Sequence, residues 1–502
     1  MKKLIPFLIA LLFISHSNAQ DIRDAYRYSS EELNGTARFM AMSGAFGALG
    51  GDISAISLNP ASSAVFLSSS ASVSLNYRNL KAKTAYFNGR FETDNDDLNL
   101  GNLGGVLVFN TSEDNNWRKF AIGLNYSTTQ NFEENYFISG NSNNSIDSYF
   151  LNYANGIPLE LLQLQSGESI SDLYSFLGEN NGFAAQQAFL GYQAFVIESE
   201  TNNPNNSEYF SLIAPGNFDQ RYNNVATGLN GKFTFNFGTQ FKDFLYLGVN
   251  LNSHFINYEN VTEFSEFNSN PGSETNEVYF DNFLTTNGEG FSAQIGGIAK
   301  INDYIRLGLT YDTPTWYNIR EEASQYLETF SDEFDEQVII APSIINVYPE
   351  YRLKTPAKLT GSVALLFGKR GLLNFDYSRK DFSNTEFKPE NDLAFQQLNN
   401  QISSEMKAAS TYKIGGEYRI QNLSLRAGYS YEESPFKDES RFGSKDGYSG
   451  GLGYNFGNFN LDLAYNYLRY TENTPLYTVG LTNRASIERN LSNLTLSLNF
   501  GL

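Results

Sequence analysis

The chain has 502 residues, with 32 Tyr, 41 Phe and 41 Gly but only 2 Trp, no Cys, and a formal charge of −20. The lack of cysteine excludes disulfides, thiolate chemistry and Cys–Zn sites, and the acidity argues against nucleic acid as a partner. A mean hydropathy of −0.37 excludes a helical membrane protein but not a membrane barrel, whose strands show lipid only every second residue.

Lys2 and Lys3 precede the short apolar run LIPFLIALLFI, and Ser17-Asn18-Ala19 places small residues before Gln20. The run is too short to span a bilayer of about 30 Å, so residues 1–19 read as a signal peptide cleaved before Gln20. Losing its two lysines takes the mature chain to −22. Residues 20–69 are too few for an independent domain with a good core. They are rich in Gly, Ala and Ser, with Asn59-Pro60 as a turn signal.

From Ala71 onward the pattern alternates with a period of two. Ala71, Val73, Leu75 and Tyr77 oppose Ser72, Ser74 and Asn76. Six pairs of alternating runs follow, each pair joined by a short polar turn: 103–111 with 119–128, 226–237 with 244–258, 291–301 with 304–313, 358–367 with 372–379, 411–420 with 423–432, and 448–456 with 459–470. A last run covers 491–500. This predicts fourteen strands with short turns at one end and long connections at the other: 80–102, 130–225, 259–290, 314–357, 381–410, 433–447 and 471–490. An even number of strands of about 9–11 residues with this loop asymmetry marks an all-β, 14-stranded antiparallel transmembrane barrel of the bacterial outer membrane. Closure pairs every backbone group, as lipid requires. Because the first strand must run outward, the segment before it is expected to enter the barrel mouth from the short-turn, periplasmic end.

Two long loops carry helical spacing, 157–193 and 392–407. Their apolar faces either cap the barrel mouth or form a landing groove for a greasy ligand. His254 falls on the lumen side of its strand and has no accompanying nucleophile motif. The acidic run 327–337 lacks the ligand spacing of a Ca²⁺ loop. No catalytic residue, metal or cofactor is therefore predicted. Alternation puts Lys232, Arg306, Asp376, Lys413, Glu417, Arg426 and Asp462 in the lumen. A ligand with an anionic head group would need a cation there, and Lys232, Arg306 and Arg426 are the candidates.

GTARFMAMSGAFGALGGDISAISLNPASSA, residues 35–64, resembles the N-terminal hatch of the FadL family, outer-membrane transporters of long-chain fatty acids and other hydrophobic compounds. The match lies in Ala37-Arg38, the Gly/Ala run, Asp52 and Asn59-Pro60-Ala61. LKTPAKLTGSVALLF, LNFDYSRKDFS and GYSGGLGYNFGNFNLDLAYNY extend the resemblance into the last third of the chain. The resemblance implies three parts: signal peptide 1–19, hatch 20–69 and barrel 70–502, with short helices in long extracellular loops. It implies a gating role for Arg38, Gly50, Gly51, Asp52, Asn59, Pro60 and Ala61. It also implies passive uptake in which ligand binds outside, shifts the hatch and leaves sideways through the wall. Expected partners are a hydrophobic small molecule, outer-membrane lipids and lipopolysaccharide, and the barrel-assembly machinery, with the protein a monomer. The alternatives are a general porin for polar solutes, or a surface adhesin built on the acidic loops.

Overall fold

The computed structural model describes residues 20–112 and 114–502, so the signal-peptide reading of 1–19 lies outside the described residues. Fourteen strands form one closed antiparallel barrel: β1 (Ser70–Tyr86), β2 (Gly89–Asn110), β3 (Trp117–Asn131), β4 (Phe218–Phe241), β5 (Leu245–Phe267), β6 (Glu277–Lys300), β7 (Ile305–Asp312), β8 (Lys358–Phe367), β9 (Gly371–Asp381), β10 (Ala408–Ile420), β11 (Leu423–Glu432), β12 (Lys445–Asn455), β13 (Phe459–Pro475) and β14 (Arg484–Gly501). Each pairs with its neighbour in sequence. The ring closes where β1 meets β14, from Ser70↔Gly501 to Ala85↔Ser486. Each alternating run falls on one strand, overshooting it by a residue at most.

The outward faces carry an apolar band. On β5, Leu247, Val249 and Leu251 are exposed while Tyr246, Asn250 and Asn252 are buried. Aromatic side chains border the band. Trp117, Phe241, Phe456 and Phe459 lie at the short-turn end, with Trp117 and Phe241 5.0 Å apart and Phe456 stacked on Phe459 at 4.8 Å. Tyr77, Trp316 and Tyr448 lie at the other end. Such girdles mark the two membrane interfaces of an outer-membrane barrel.

Several strands outrun the band, and three expected loops, 80–102, 259–290 and 314–357, are mostly strand, the last through Trp316–Ser331, which pairs with the upper part of β6. β1 and β2 pair as far as Tyr86↔Gly89, and β5 and β6 as far as Phe267↔Glu277. Above the band both faces of such ribbons meet water, so the alternation persists without its apolar half. Lys81 bridges to Asp94 at 3.1 Å across the β1–β2 ribbon. One seam departs from the ladder. β2 and β3 pair only from Asn102↔Ser127 to Asn110↔Lys119. Beyond Phe132 the chain resumes as strand Glu134–Ser142, paired with β4. There side chains bridge to β1 and β2: Thr93 Oγ1 and Asn95 Nδ2 both donate to the Asn135 carbonyl, and Arg78 Nη1 to that of Glu133.

Helices α3 (Asp147–Ala154), α4 (Ile170–Asn180), α5 (Phe183–Gln193) and α6 (Leu393–Glu405) close the long-loop end. Leu159, Leu162, Leu173 and Leu177, and likewise Leu398 and Ile402, are buried. The helices therefore cap the mouth with most of their apolar residues turned inward, while Phe176 of α4 and Leu393 of α6 stay exposed.

The N-terminal segment occupies the lumen. It contains helices α1 (Ile22–Arg27) and α2 (Ala37–Met40) and 3-10 turns at Ser54–Ser57 and Pro60–Val65. Its path corrects one expectation. The segment is not confined to the short-turn end. Tyr26 of α1 packs 4.6 Å from Phe442 and 6.0 Å from Phe382, in the long-loop half, beside α6. The chain then descends the lumen to Phe66, whose carbonyl accepts from Lys119 Nζ. Outward direction of the first strand fixes only where the segment ends, not where it begins.

Candidate functional site: the filled lumen and its chambers

The segment has little secondary structure, so its buried backbone groups must find partners elsewhere. The barrel wall supplies them. Asn236 Nδ2 donates to the Pro60 carbonyl at 2.9 Å, Asn250 Nδ2 to that of Ile56 at 2.8 Å, Gln294 Nε2 to that of Ser57 at 3.0 Å and Asn466 Nδ2 to that of Met40 at 2.6 Å. Asp376 accepts from the amides of Phe46 and Gly47. Inward-facing glycines let the two backbones touch. A Cβ on Gly248 would lie 2.3 Å from the Pro60 carbonyl carbon, on Gly308 2.3 Å from the Gly47 oxygen, and on Gly428 2.5 Å from the Met42 carbonyl carbon. Sequence reading missed this belt, although each glycine sits in the lumen phase of its strand.

The expected hatch residues cluster in two places. Asn59 is fully buried. Its Oδ1 accepts from the Ala61 amide at 3.1 Å, capping the Pro60 turn, and its Nδ2 donates to the carbonyls of Gly47 and Gly297. Asp52 accepts from Thr36 Oγ1 at 2.8 Å and the Ser54 amide at 2.9 Å. Burial pushes its carboxyl up, against the pull of Arg38 and these bonds. Gly50 and Gly51 take φ of 64° and 67°, a region that favours glycine, and Arg38 Nη1 donates to the Gly51 carbonyl. Arg38 Nε meets Glu417 at 2.9 Å, and Glu417 also binds Arg419 and, at 2.7 Å, Arg426.

The three head-group candidates separate. Arg426 is committed to Glu417 and, at 2.6 Å, to Asp462. Arg306 donates to the Leu49 carbonyl at 2.9 Å and lines a small basic pocket at the short-turn end with Arg38, Lys369 and Arg419. Lys232 lines a chamber of about 160 Å3 in mid-lumen. Lys358, Lys380 and Lys413 enter the same chamber, as does Glu31 of the N-terminal segment. Lys358 Nζ lies 2.8 Å from Glu31 and 3.2 Å from Asp312. Enclosure in the lumen would raise the Glu31 carboxyl even though its side chain is open to the chamber, but the charges of Lys358, Lys380 and Lys232 hold it well below the usual range. Lys380 follows Asp376 and Ser378 in the lumen phase, so the alternation could have found it.

Above the chamber, under the helices, a vestibule of about 460 Å3 is lined by Tyr136, Tyr149, Tyr222, Tyr258, Tyr470 and Tyr477, among others. On the outer wall, Leu103, Leu124, Tyr126, Phe233, Leu251 and Phe291 form an apolar groove of about 510 Å3 directly below the β2–β3 seam. His254 Nε2 contacts Ser292 Oγ at 2.8 Å, but both residues are buried and neither lines a described cavity. The pair is a wall hydrogen bond.

A closed 14-strand barrel with an apolar girdle and a filled lumen defines an outer-membrane β-barrel protein with an internal plug-like segment. The family described as outer membrane protein transport protein (OMPP1/FadL/TodX) matches residues 224–493, more than half of the chain. The chain belongs to this family. In fold it is similar to a Pseudomonas aeruginosa FadL homologue (13% identity, TM-score 0.54) and to the toluene transporter TodX of P. putida (16% identity, TM-score 0.52). Each comparison covers 94% of this chain and 99% of the other. No curated protein matches it in sequence.

Proposed function

We propose that the protein admits hydrophobic small molecules passively across the outer membrane, with residues 20–69 as the hatch of a barrel spanning 70–502. The observation that carries this reading is the packing of the lumen. Wall and segment meet backbone to backbone at Gly248, Gly308 and Gly428, which leaves little room for a standing aqueous pore and disfavours the general porin. Ligand enters the tyrosine-lined vestibule and loosens the hatch through the turns organised by Arg38, Gly50, Gly51, Asp52, Asn59, Pro60 and Ala61. It leaves through the seam above the apolar groove. Of the three cations first considered, Lys232 is the head-group contact, because Arg426 is consumed by carboxylates and Arg306 faces the short-turn end. A monomer suffices, as the closed ring satisfies its own backbone. Membrane lipid and the assembly machinery are its other partners.

The test uses planar-bilayer conductance together with uptake of a radiolabelled lipophile into proteoliposomes. Deleting residues 20–66 is expected to raise conductance sharply, while the parent takes up lipophile with little ion current. A parent that conducts ions steadily, or a deletion that changes nothing, would overturn the hatch.

A further inference from the structure

We infer that the mid-lumen lysine chamber is a carboxylate site, and that Glu31 is its resident occupant: an internal stand-in for the acid group of an amphiphilic ligand. This deepens the uptake reading and rests on it for the direction of travel.

The charge balance comes first. Four ammonium groups, from β4, β8, β9 and β10, enter a chamber of about 160 Å3. Glu31 and Asp312 are the carboxylates bound to them, through Lys358 at 2.8 and 3.2 Å and Lys380 to Glu31 at 3.8 Å. Among the described residues, neither Lys232 nor Lys413 has a carboxylate within 4.0 Å. Two further acids line the chamber but are matched by cations outside it, Glu32 by Arg78 at 3.7 Å and Glu432 by Lys445 at 3.2 Å. Asp376 stands nearby, held by the Phe46 and Gly47 amides, and keeps its charge, so four lysines face three unmatched carboxylates, Glu31, Asp312 and Asp376. In a chain of charge −20, a local cationic surplus in a confined, low-dielectric space is costly unless an anion relieves it.

The second observation is where Glu31 sits. Residues 29–34 form a strap with no helix or strand. It is tied to the wall by the Glu32 amide on the Thr129 carbonyl at 2.7 Å and by Ser30 Oγ on Gln130 Oε1 at 2.9 Å. Glu32 lines both the chamber and the vestibule above it, so the strap divides the two. The Glu31 side chain is 52% exposed, unlike a residue locked into a core. Leu33, Phe39, Leu58 and Phe382 give the chamber an apolar side as well, where the first carbons of a chain can lie. A carboxylate arriving from the vestibule exchanges with Glu31 on the lysines. Losing the Glu31 ties loosens the strap, which is then held only through Ser29, Ser30, Glu32 and Asn34, and eases the way past it. A neutral hydrophobe has nothing to exchange and leaves the strap closed.

The test measures binding of laurate and of its neutral twin dodecanol to the full mature chain in non-ionic detergent, by titration calorimetry. Removing a competitor that holds the site closed in all but a small fraction of molecules raises apparent affinity by the inverse of that fraction. Glu31→Gln is expected to bind laurate about tenfold tighter or more, with dodecanol unchanged. Adding Lys232→Met and Lys413→Met should remove the gain. Glu31→Asp, which keeps the charge on a shorter arm, should gain less than Glu31→Gln, and it carries the test if Glu31→Gln fails to fold. Equal laurate affinity in parent and Glu31 variants, with dodecanol still bound, overturns the stand-in and leaves hydrophobe uptake intact. If neither probe binds any variant, both readings fall.

Discussion

Gly248→Ala asks whether the hatch is held by contact between backbones. Gly248 lies on β5, facing inward, with ordinary strand dihedrals that alanine shares. The added Cβ would sit 2.3 Å from the Pro60 carbonyl carbon and 2.4 Å from its oxygen. Ordinary contact begins near 3.4 Å, so the Pro60 turn must retreat by about 1 Å, and no side-chain rotation relieves a clash with backbone. Overpacking of this kind costs about 1–3 kcal/mol. Gly428→Ala on β11 imposes the same clash at Met42. The two sites press on different turns of the hatch and share no partner, so their costs should add, to about 2–6 kcal/mol. That is a large part of the roughly 5–15 kcal/mol that stabilises a typical protein, and it falls on the hatch, because the barrel ladder is untouched. The double variant should fold as a barrel, keep its heat-dependent gel mobility, and show raised bilayer conductance and protease cleavage within residues 20–69. Parent-like conductance and protection in the double variant would refute the reasoning.

Glu417→Gln leaves Arg38, Arg419 and Arg426 facing one another with Asp462 as the remaining acid, and should cost about 3–5 kcal/mol; amide exchange of residues 36–52 would report it first. Val249→Arg puts a charge on the lipid-facing band and should destabilise the barrel by about 2–4 kcal/mol, read as a lower urea midpoint in lipid vesicles. Glu321 lies above the girdle in strand Trp316–Ser331, where it accepts from Tyr351 OH and Thr286 Oγ1 and contacts Gln20. Burial, with the neighbouring charge of Asp24, pushes its carboxyl up to about 7. A carboxyl raised by folding favours the fold at low pH, and its contribution declines as pH rises from the ordinary carboxylate value toward 7. Exchange protection of residues 20–28 should therefore be greater at pH 5 than at pH 8. Glu321→Gln should flatten that difference, and a slope surviving the substitution would rule out this carboxyl as its source.

Much of the barrel was legible because lipid imposes a strict rule. Residues 459–470 alternate with few exceptions, and a one-residue slip would turn Leu461 and Leu463 into the lumen. The rule lapses where water replaces lipid, so the charged ribbon above Tyr77 read as a loop. The hatch was recognisable as a segment from its Gly, Ala and Ser content and from Asn59-Pro60. Its path was not, because its partners are wall residues such as Asn236 and Asn466, far away in sequence. The same holds for the chamber. Lys232 and Lys413 follow from alternation, and the short turn at 421–422 sets Glu417 opposite Arg426, but nothing local says that Asp462 joins that pair, or that Glu31 reaches Lys358.

The closure between β1 and β14 joins the first strand made to the last, with the N-terminal segment already inside. Ser70 is at once the last link of the luminal segment and the first rung of that closing ladder. A slip of the seam by one register would therefore drag the segment along with the wall, so the same joint that shuts the cylinder also sets the height of its contents.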